Sequence, residues 1–108
     1  MDEGYATAEA AVALPALLTV LALAIGAVVT VDGQLRCVDA ARAGARVAAR
    51  GDSDGTARTA AQEVAPPGSR IAVEHHGTRV RVVVRVTLRA GRWLPGVPLT
   101  ATATADLE

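Results

Sequence analysis

The chain has 108 residues, of which 51% are apolar, yet Tyr5 and Trp93 are its only aromatic residues. This length suits a single domain and excludes a multidomain enzyme. The 11 basic residues are all arginines and are balanced by 11 acids, so a net charge of zero gives no general reason to expect nucleic acid as a partner. Cys37 is the only cysteine, which excludes an intrachain disulfide and a multi-cysteine metal site.

The segment from Ala10 to Val31 contains 22 residues without a charge. As a helix it would measure roughly 33 Å, enough to cross a hydrocarbon core of about 30 Å. A helix of a soluble domain rarely stays apolar all round for this length, so we predict a single membrane span. A secretory signal is the alternative, although an acidic start and so long an apolar run are atypical of one. Its cleavage sites would lie near Ala22, Ala24 or Ala27.

A polar stripe follows the apolar segment at helical spacing. Its members are Asp32, Arg36, Asp39, Arg42, Arg46 and Arg50. The other side carries Leu35, Val38, Ala41, Ala45 and Ala48. Gly44 lies four residues from both Ala40 and Ala48, a spacing that allows close approach of another backbone. We therefore predict one helix from about Tyr5 to Arg50, kinked at Pro15 and ended by Gly51.

The C-terminal half predicts a short helix and three strands. The helix would cover Thr56–Ala65, with Asp54 or Ser53 near its start, and end at Pro66-Pro67-Gly68. Alternation in Arg79–Arg89 places valines and Leu88 on one face and arginines on the other, with Val83 as the exception. A tight turn at His76-Gly77-Thr78 would join this strand to Arg70–His76, and Trp93–Pro98 would connect it to a third strand, Leu99–Leu107.

Other residues carry weaker signals. His75 and His76 would point to opposite faces of a strand, so we interpret them as a surface pair rather than as metal ligands. The arginine face of Arg79, Arg81, Arg85 and Arg89 lacks stacking aromatic residues and is typical of a solvated sheet face, with a subunit contact to acids as an alternative. We interpret Cys37 as a small apolar side chain. No catalytic motif is present, so we predict neither an enzyme nor a cofactor.

The run Gly4-Tyr5-Ala6-Thr7-Ala8-Glu9, directly before the apolar segment, resembles the type IV prepilin signal. In that signal a peptidase cleaves after a glycine, and an acid occupies the fifth mature position. Together with Pro15 and the Arg/Ala-rich stretch 39–46, the N-terminal half resembles the TadE-like minor pilins, or pseudopilins, of tight-adherence (Flp) pilus systems, particularly the actinobacterial ones. The resemblance implies cleavage between Gly4 and Tyr5 and a role for Glu9, Pro15 and Gly44 in helix assembly.

A core of Val, Ala and Leu in so small a domain is marginal alone, so we predict an α+β fold in which a long N-terminal helix, membrane-spanning in its first half, packs on a three-stranded antiparallel sheet. The resemblance implies that this fold is pilin-like. The domains would be a leader (1–4), a transmembrane helix (5–31), its continuation (32–50) and a head (51–108). Glu9 would be neutralised by the amine of a neighbouring subunit's Tyr5, or alternatively would lie among lipid headgroups.

The implied partners are the prepilin peptidase, other pilins, the pilus platform protein and its ATPase, and the membrane. The head would face outward from the cytoplasmic membrane, yet all arginines follow the span, which opposes the positive-inside bias. Either the targeting machinery fixes the orientation despite these charges, or the true start lies upstream. The function expected from the resemblance is structural, in pilus assembly. The alternative is a membrane-anchored or secreted binding domain.

Overall fold

The computed structural model describes residues 2–89 and 93–107, with the side chain of Asp2 left out. Met1 of the predicted leader and Glu108 of the predicted head lie outside the described residues. Five elements follow one another along the chain: α1 (Asp2–Ala49), α2 (Asp54–Val64), β1 (Arg70–His76), β2 (Arg79–Leu88) and β3 (Val97–Asp106). The predicted α+β class, a long N-terminal helix and a three-stranded antiparallel sheet, is confirmed.

Helix α1 contains 48 residues and continues through Pro15. Because proline has no N–H, the carbonyl of Ala11 loses its usual donor, but this does not end the helix. Thr19 donates a hydrogen bond from Oγ1 to the Pro15 carbonyl (2.8 Å). The predicted kink at Pro15 stays a prediction. At the C-terminal end Gly51, with φ of 87°, donates its N–H to the Ala48 carbonyl (3.0 Å), and this left-handed conformation ends the helix as expected.

Helix α2 begins two residues earlier than predicted because Ser53 caps it. The Ser53 hydroxyl accepts a hydrogen bond from the Thr56 N–H (3.2 Å), which satisfies one of the free donors of the first turn. Asp54 in that turn complements the helix dipole. Ala57 and Ala61 are the buried residues of the helix, so its contact face is flat and narrow.

The strand order is β1-β2-β3, with both pairs antiparallel. Gly77, with φ of 64°, forms the predicted tight turn between β1 and β2. The prediction that Val97 and Pro98 belong to a connection was wrong, since they pair with Leu88 and Thr87 at the start of β3. An edge strand tolerates proline because the missing N–H faces away from the ladder, and β3 is an edge strand.

The core lies between the second half of α1, α2 and the inner face of the sheet. Its fully buried residues are small: Cys37, Ala40, Ala41, Ala57, Ala61, Val80, Val82 and Val84. The alternation predicted for β2 is confirmed, and Val83 is buried on the opposite face, as the sequence exception indicated. Leu35, predicted to lie on the side of α1 opposite the polar stripe, is 58% exposed. The buried stripe instead follows Cys37, Ala41, Gly44 and Ala48, and Leu35 lies about half a turn away from it.

Candidate functional site

The first half of α1 has no contact partner among the residues that the structure describes. Every described side chain from Glu3 to Val29 is exposed, and the most apolar 18-residue window has a mean hydropathy of 2.6 with 0% of it buried. We call Ala10–Val31 the apolar span. By length and composition the helix is able to cross a membrane. An exposed apolar surface of this size needs lipid or other helices around it, because in water it would drive aggregation.

The residues of the predicted processing signal lie at the start of α1, on its exposed surface. Tyr5 is 82% exposed, and a Cβ added at Gly4 would meet nothing within 4 Å. Glu9 follows Tyr5 by four residues, so the two side chains lie one turn apart on the same side of the helix. Glu9 is roughly 36 Å along α1 from Gly33, where the head begins to pack. No described residue of the head reaches this region.

The junction between the apolar span and the head is tightly packed. Burial of α1 begins at Thr30, and a Cβ added at Gly33 would lie 2.7 Å from Leu88 Cδ1 and 2.9 Å from Leu99 Cδ1. Gln34 donates from Nε2 to the carbonyl of Thr100 (3.0 Å). These contacts attach the ends of β2 and β3 to the first turn of α1 beyond the apolar span.

The close approach of another backbone predicted at Gly44 occurs within this chain. A Cβ at Gly44 would lie 3.1 Å from Val82 Cγ1, 3.2 Å from Ala61 Cβ and 3.3 Å from the Ala57 carbonyl oxygen. Small residues here let α2 and β2 pack against α1. The role of Gly44 in assembly with other subunits stays a prediction.

Cys37 lies in the centre of the head core with 0% of its surface exposed. Burial raises the pKa of its thiol above the ordinary value, because the thiolate is poorly stabilised away from water. The interpretation of Cys37 as a small apolar side chain is confirmed. A buried, protonated thiol is unreactive until the head opens.

The outer face of the sheet has two different ends. At the turn between β1 and β2, charges are paired: Arg79 Nε lies 3.3 Å from Asp106 Oδ1, and Arg81 Nη1 lies 3.9 Å from Glu74 Oε2. At the end next to the apolar span, Arg70 and Arg85 are direct cross-strand neighbours. In the described part of the chain no acid pairs with Arg70, Arg85 or Arg89.

The two histidines diverge, as expected for adjacent strand residues. His75 points inward to α2, where its Nε2 lies 2.7 Å from Asp54 Oδ1, and His76 Nε2 lies 3.5 Å from Glu74 Oε2 on the outer face. Among the described residues no cluster of three potential ligands could hold a metal ion. The contact between His75 and Asp54 was not predicted from the sequence, because the two residues lie in different elements and are 21 positions apart. It also missed Gly33, although a glycine inside a helical pattern is a signal of close packing.

Taken together, these features define a small α+β head carried on a helix that is able to cross a membrane. The chain is 37% identical over 100 residues to a protein of Mycobacterium tuberculosis named "Apoptosis inhibitor Rv3655c". The match covers 93% of this chain and 77% of that protein. The chain therefore belongs to the same family as this mycobacterial protein. No family model matches the chain, and no solved structure matches it.

Proposed function

We propose that the chain is a minor pilin or pseudopilin, TadE-like, with a structural role in assembling a tight-adherence type IV pilus or a related secretion apparatus. One observation carries this proposal. Glu9 lies one turn after Tyr5 at the start of a helix whose apolar span is entirely unburied, whereas the head encloses only the second half. A helix presented in this way is suited to bundling with copies of the same kind.

Charge neutralisation would couple bundling to processing. A carboxylate at the edge of the hydrocarbon is costly unless it finds a positive partner or reaches the interface. Cleavage between Gly4 and Tyr5 creates such a partner, the free α-amine of Tyr5. Pairing this amine with Glu9 of a neighbouring subunit removes both charges from the apolar environment at once and fixes the axial register of the helices.

The proposed partners follow from this role. A prepilin peptidase would cleave the leader, and a platform protein and its ATPase would drive assembly. The helices of other pilins would pack against the apolar span. The protein would be single-pass in the cytoplasmic membrane with its head extracytoplasmic, either incorporated in the fibre or retained in the membrane. This role needs neither a cofactor nor catalytic residues.

The N-terminus of the membrane-extracted protein tests the proposal. We expect Edman sequencing or intact mass to give a mature end at Tyr5, and we expect Gly4→Arg to abolish this cleavage. Glu3→Arg is the matched control, because it adds the same side chain at the neighbouring exposed position and leaves the glycine in place. A mature end near Ala27, an uncut chain, or cleavage that survives Gly4→Arg would contradict the proposal.

An apolar helix near the N-terminus also fits a second candidate, a membrane-anchored or secreted binding domain unrelated to pili. In that case the apolar span would serve as a tether or as a removable signal. The same N-terminal analysis separates the candidates, since a released head would begin after the apolar span and would be recovered in the medium.

A further inference from the structure

We propose that the end of the sheet next to the apolar span is a docking surface for anionic phospholipid, which holds the head against the bilayer. The surface consists of Arg70, Arg85 and Arg89 together with the exposed loop residues Trp93 and Leu94. This inference rests on α1 crossing the membrane, as proposed above, but not on assembly into a pilus.

The position of this surface follows from the packing of the junction. Gly33 contacts the side chains of Leu88 and Leu99, and Gln34 bonds to Thr100, so this end of the sheet lies beside the first turn after the apolar span. Strand β2 runs towards that end, from Val82 beside Gly44 to Leu88 beside Gly33. Burial of α1 already begins at Thr30, inside the apolar span. The end of the head at Gly33, Leu88 and Leu99 is therefore level with the membrane surface when the apolar span is inserted.

The loop at this edge exposes its apolar residues. Trp93 is 95% exposed and Leu94 is 54% exposed, so the core of the head gains little from either. The loop folds back onto the strand end, because a Cβ at Gly96 would clash with Thr87 and would lie 3.1 Å from Arg89 Cγ. Tryptophan is enriched at the membrane interface, where its ring lies among the headgroups and its N–H finds a partner.

The arginines supply the matching charge. Arg70 and Arg85 lie directly opposite each other, an arrangement that costs stability unless an anion lies between them. The acids of the outer face, Glu74 and Asp106, pair with Arg81 and Arg79 at the far end of the same strand. Arg79 lies ten residue steps from Arg89, about 33 Å, and Arg81 lies eight steps from it, about 26 Å, so both are more than two Debye lengths away at 0.1 M salt. Only the near end is able to interact electrostatically with the bilayer surface.

Lipid fits this surface better than nucleic acid because it continues the apolar surface of the span. A single exposed tryptophan offers no row of stacking platforms for bases. In contrast, one indole, one leucine and three guanidinium groups beside a membrane helix match the layered chemistry of acyl chains and headgroup phosphates.

Trp93 is the only tryptophan, so its fluorescence reports on this surface alone. The full chain would be reconstituted into vesicles of phosphatidylglycerol and phosphatidylcholine or of phosphatidylcholine alone, with insertion checked by flotation. With phosphatidylglycerol we expect Trp93 to emit at shorter wavelength, to be quenched by lipids brominated on the acyl chains, and to be shielded from acrylamide. In phosphatidylcholine the shielding should be much weaker.

Two double variants test the role of the arginines. Arg85→Gln with Arg89→Gln should lower the ratio of docked to undocked heads roughly 25-fold at low salt, at about fivefold for each arginine. Arg79→Gln with Arg81→Gln removes the same charge from the same face at the far end of β2 and should leave Trp93 shielded. The rate of Cys37 alkylation monitors folding of the head in every sample. The comparison of the two lipid compositions tests docking of the unaltered protein, without any substitution.

The proposal would be overturned by equal acrylamide quenching of Trp93 in the two kinds of vesicle, by equal effects of the two double variants, or by failure of the chain to float with the vesicles. A native N-terminus at Tyr5 is measured independently, so failure of docking leaves the pilin proposal standing, and failure of processing leaves docking intact.

Discussion

Two glycines of α1 determine how closely the head packs on the helix. Gly44 and Gly33 both lie where a Cβ would meet side chains of the sheet, and at Gly44 it would also meet the backbone of α2. At Gly33 the neighbouring atoms are the ends of the Leu88 and Leu99 side chains, which are able to move aside. At Gly44 they belong to Val82, Ala61 and the backbone of α2, which are stiff, so the size of this one residue controls the separation of the layers.

At the scale of residues we expect Gly44→Ala to destabilise the head by about 1–3 kcal/mol, the usual cost of overpacking. Val82 Cγ1 at 3.1 Å and the Ala57 carbonyl oxygen at 3.3 Å would have to shift. The rate of Cys37 alkylation measures this change, because the thiol becomes accessible only when the head opens. The rate should rise roughly 5- to 150-fold.

Gly26→Ala is the control for this substitution. It makes the same change in the same helix at a position where a Cβ meets nothing within 4 Å. Its alkylation rate should equal that of the unaltered protein. An unchanged rate for Gly44→Ala would show that α1 and α2 are not packed as described.

At the scale of elements, α2 is held by a cap and by polar contacts as well as by its packing on α1. It has 11 residues, and its buried residues are two alanines, so each polar contact is a sizeable part of its stability. The Ser53 cap and the contact between Asp54 and His75 of β1 hold its first turn. Arg58 adds a hydrogen bond from Nε to the Ile71 carbonyl of β1 (3.4 Å).

We expect Ser53→Ala to cost α2 about 1 kcal/mol, since the Thr56 N–H loses its acceptor. Amide hydrogen exchange in α2 should then accelerate roughly fivefold, with little change in β2. Thr59→Ala is the control, because it also removes a hydroxyl from α2, where Thr59 Oγ1 only donates to the Gly55 carbonyl (2.9 Å). Faster exchange in Thr59→Ala than in Ser53→Ala would contradict the assignment of the cap.

At the scale of the whole molecule, the shape separates the folded head from the part of α1 that is free to contact lipid or other helices. The molecule measures 77 × 23 × 20 Å, with the head at one end and an unpartnered helix at the other. Because Glu9 is far from the head core, its substitution affects what surrounds the apolar span and not how the head folds. The two ends can therefore be tested independently.

We expect Glu9→Ala to leave membrane insertion and Cys37 protection unchanged but to reduce the amount of the protein that co-purifies with pili. The physical reason is the loss of the carboxylate that neutralises the amine of Tyr5 in a neighbouring subunit. Glu63→Ala, which removes an exposed acid from α2, is the control for the change in charge. Equal recovery of Glu9→Ala and the unaltered chain with pili would exclude the pairing.

The local pattern of the sequence determined the elements. Periods of 3.6 and 2 predicted α1 and the three strands, and Gly51 and Gly77 marked a helix end and a turn, because these signals depend on neighbours in the chain. The boundary errors at α2 and β3 arose where a cap and a strand partner, rather than composition, set the limits. The apolar span was equally plain from the sequence, since length and absence of charge suffice to define it.

Only the tertiary structure decided which surfaces meet. The position of Leu35 on the exposed side, the packing of α2 at Gly44, and the contact of His75 with Asp54 all depend on residues distant in the chain. The same holds for the unbalanced charge at the end of the sheet next to the apolar span, because the acids that neutralise Arg79 and Arg81 lie on other strands. A periodic pattern specifies that a face is buried, but the partner of that face is chosen by packing among all elements at once.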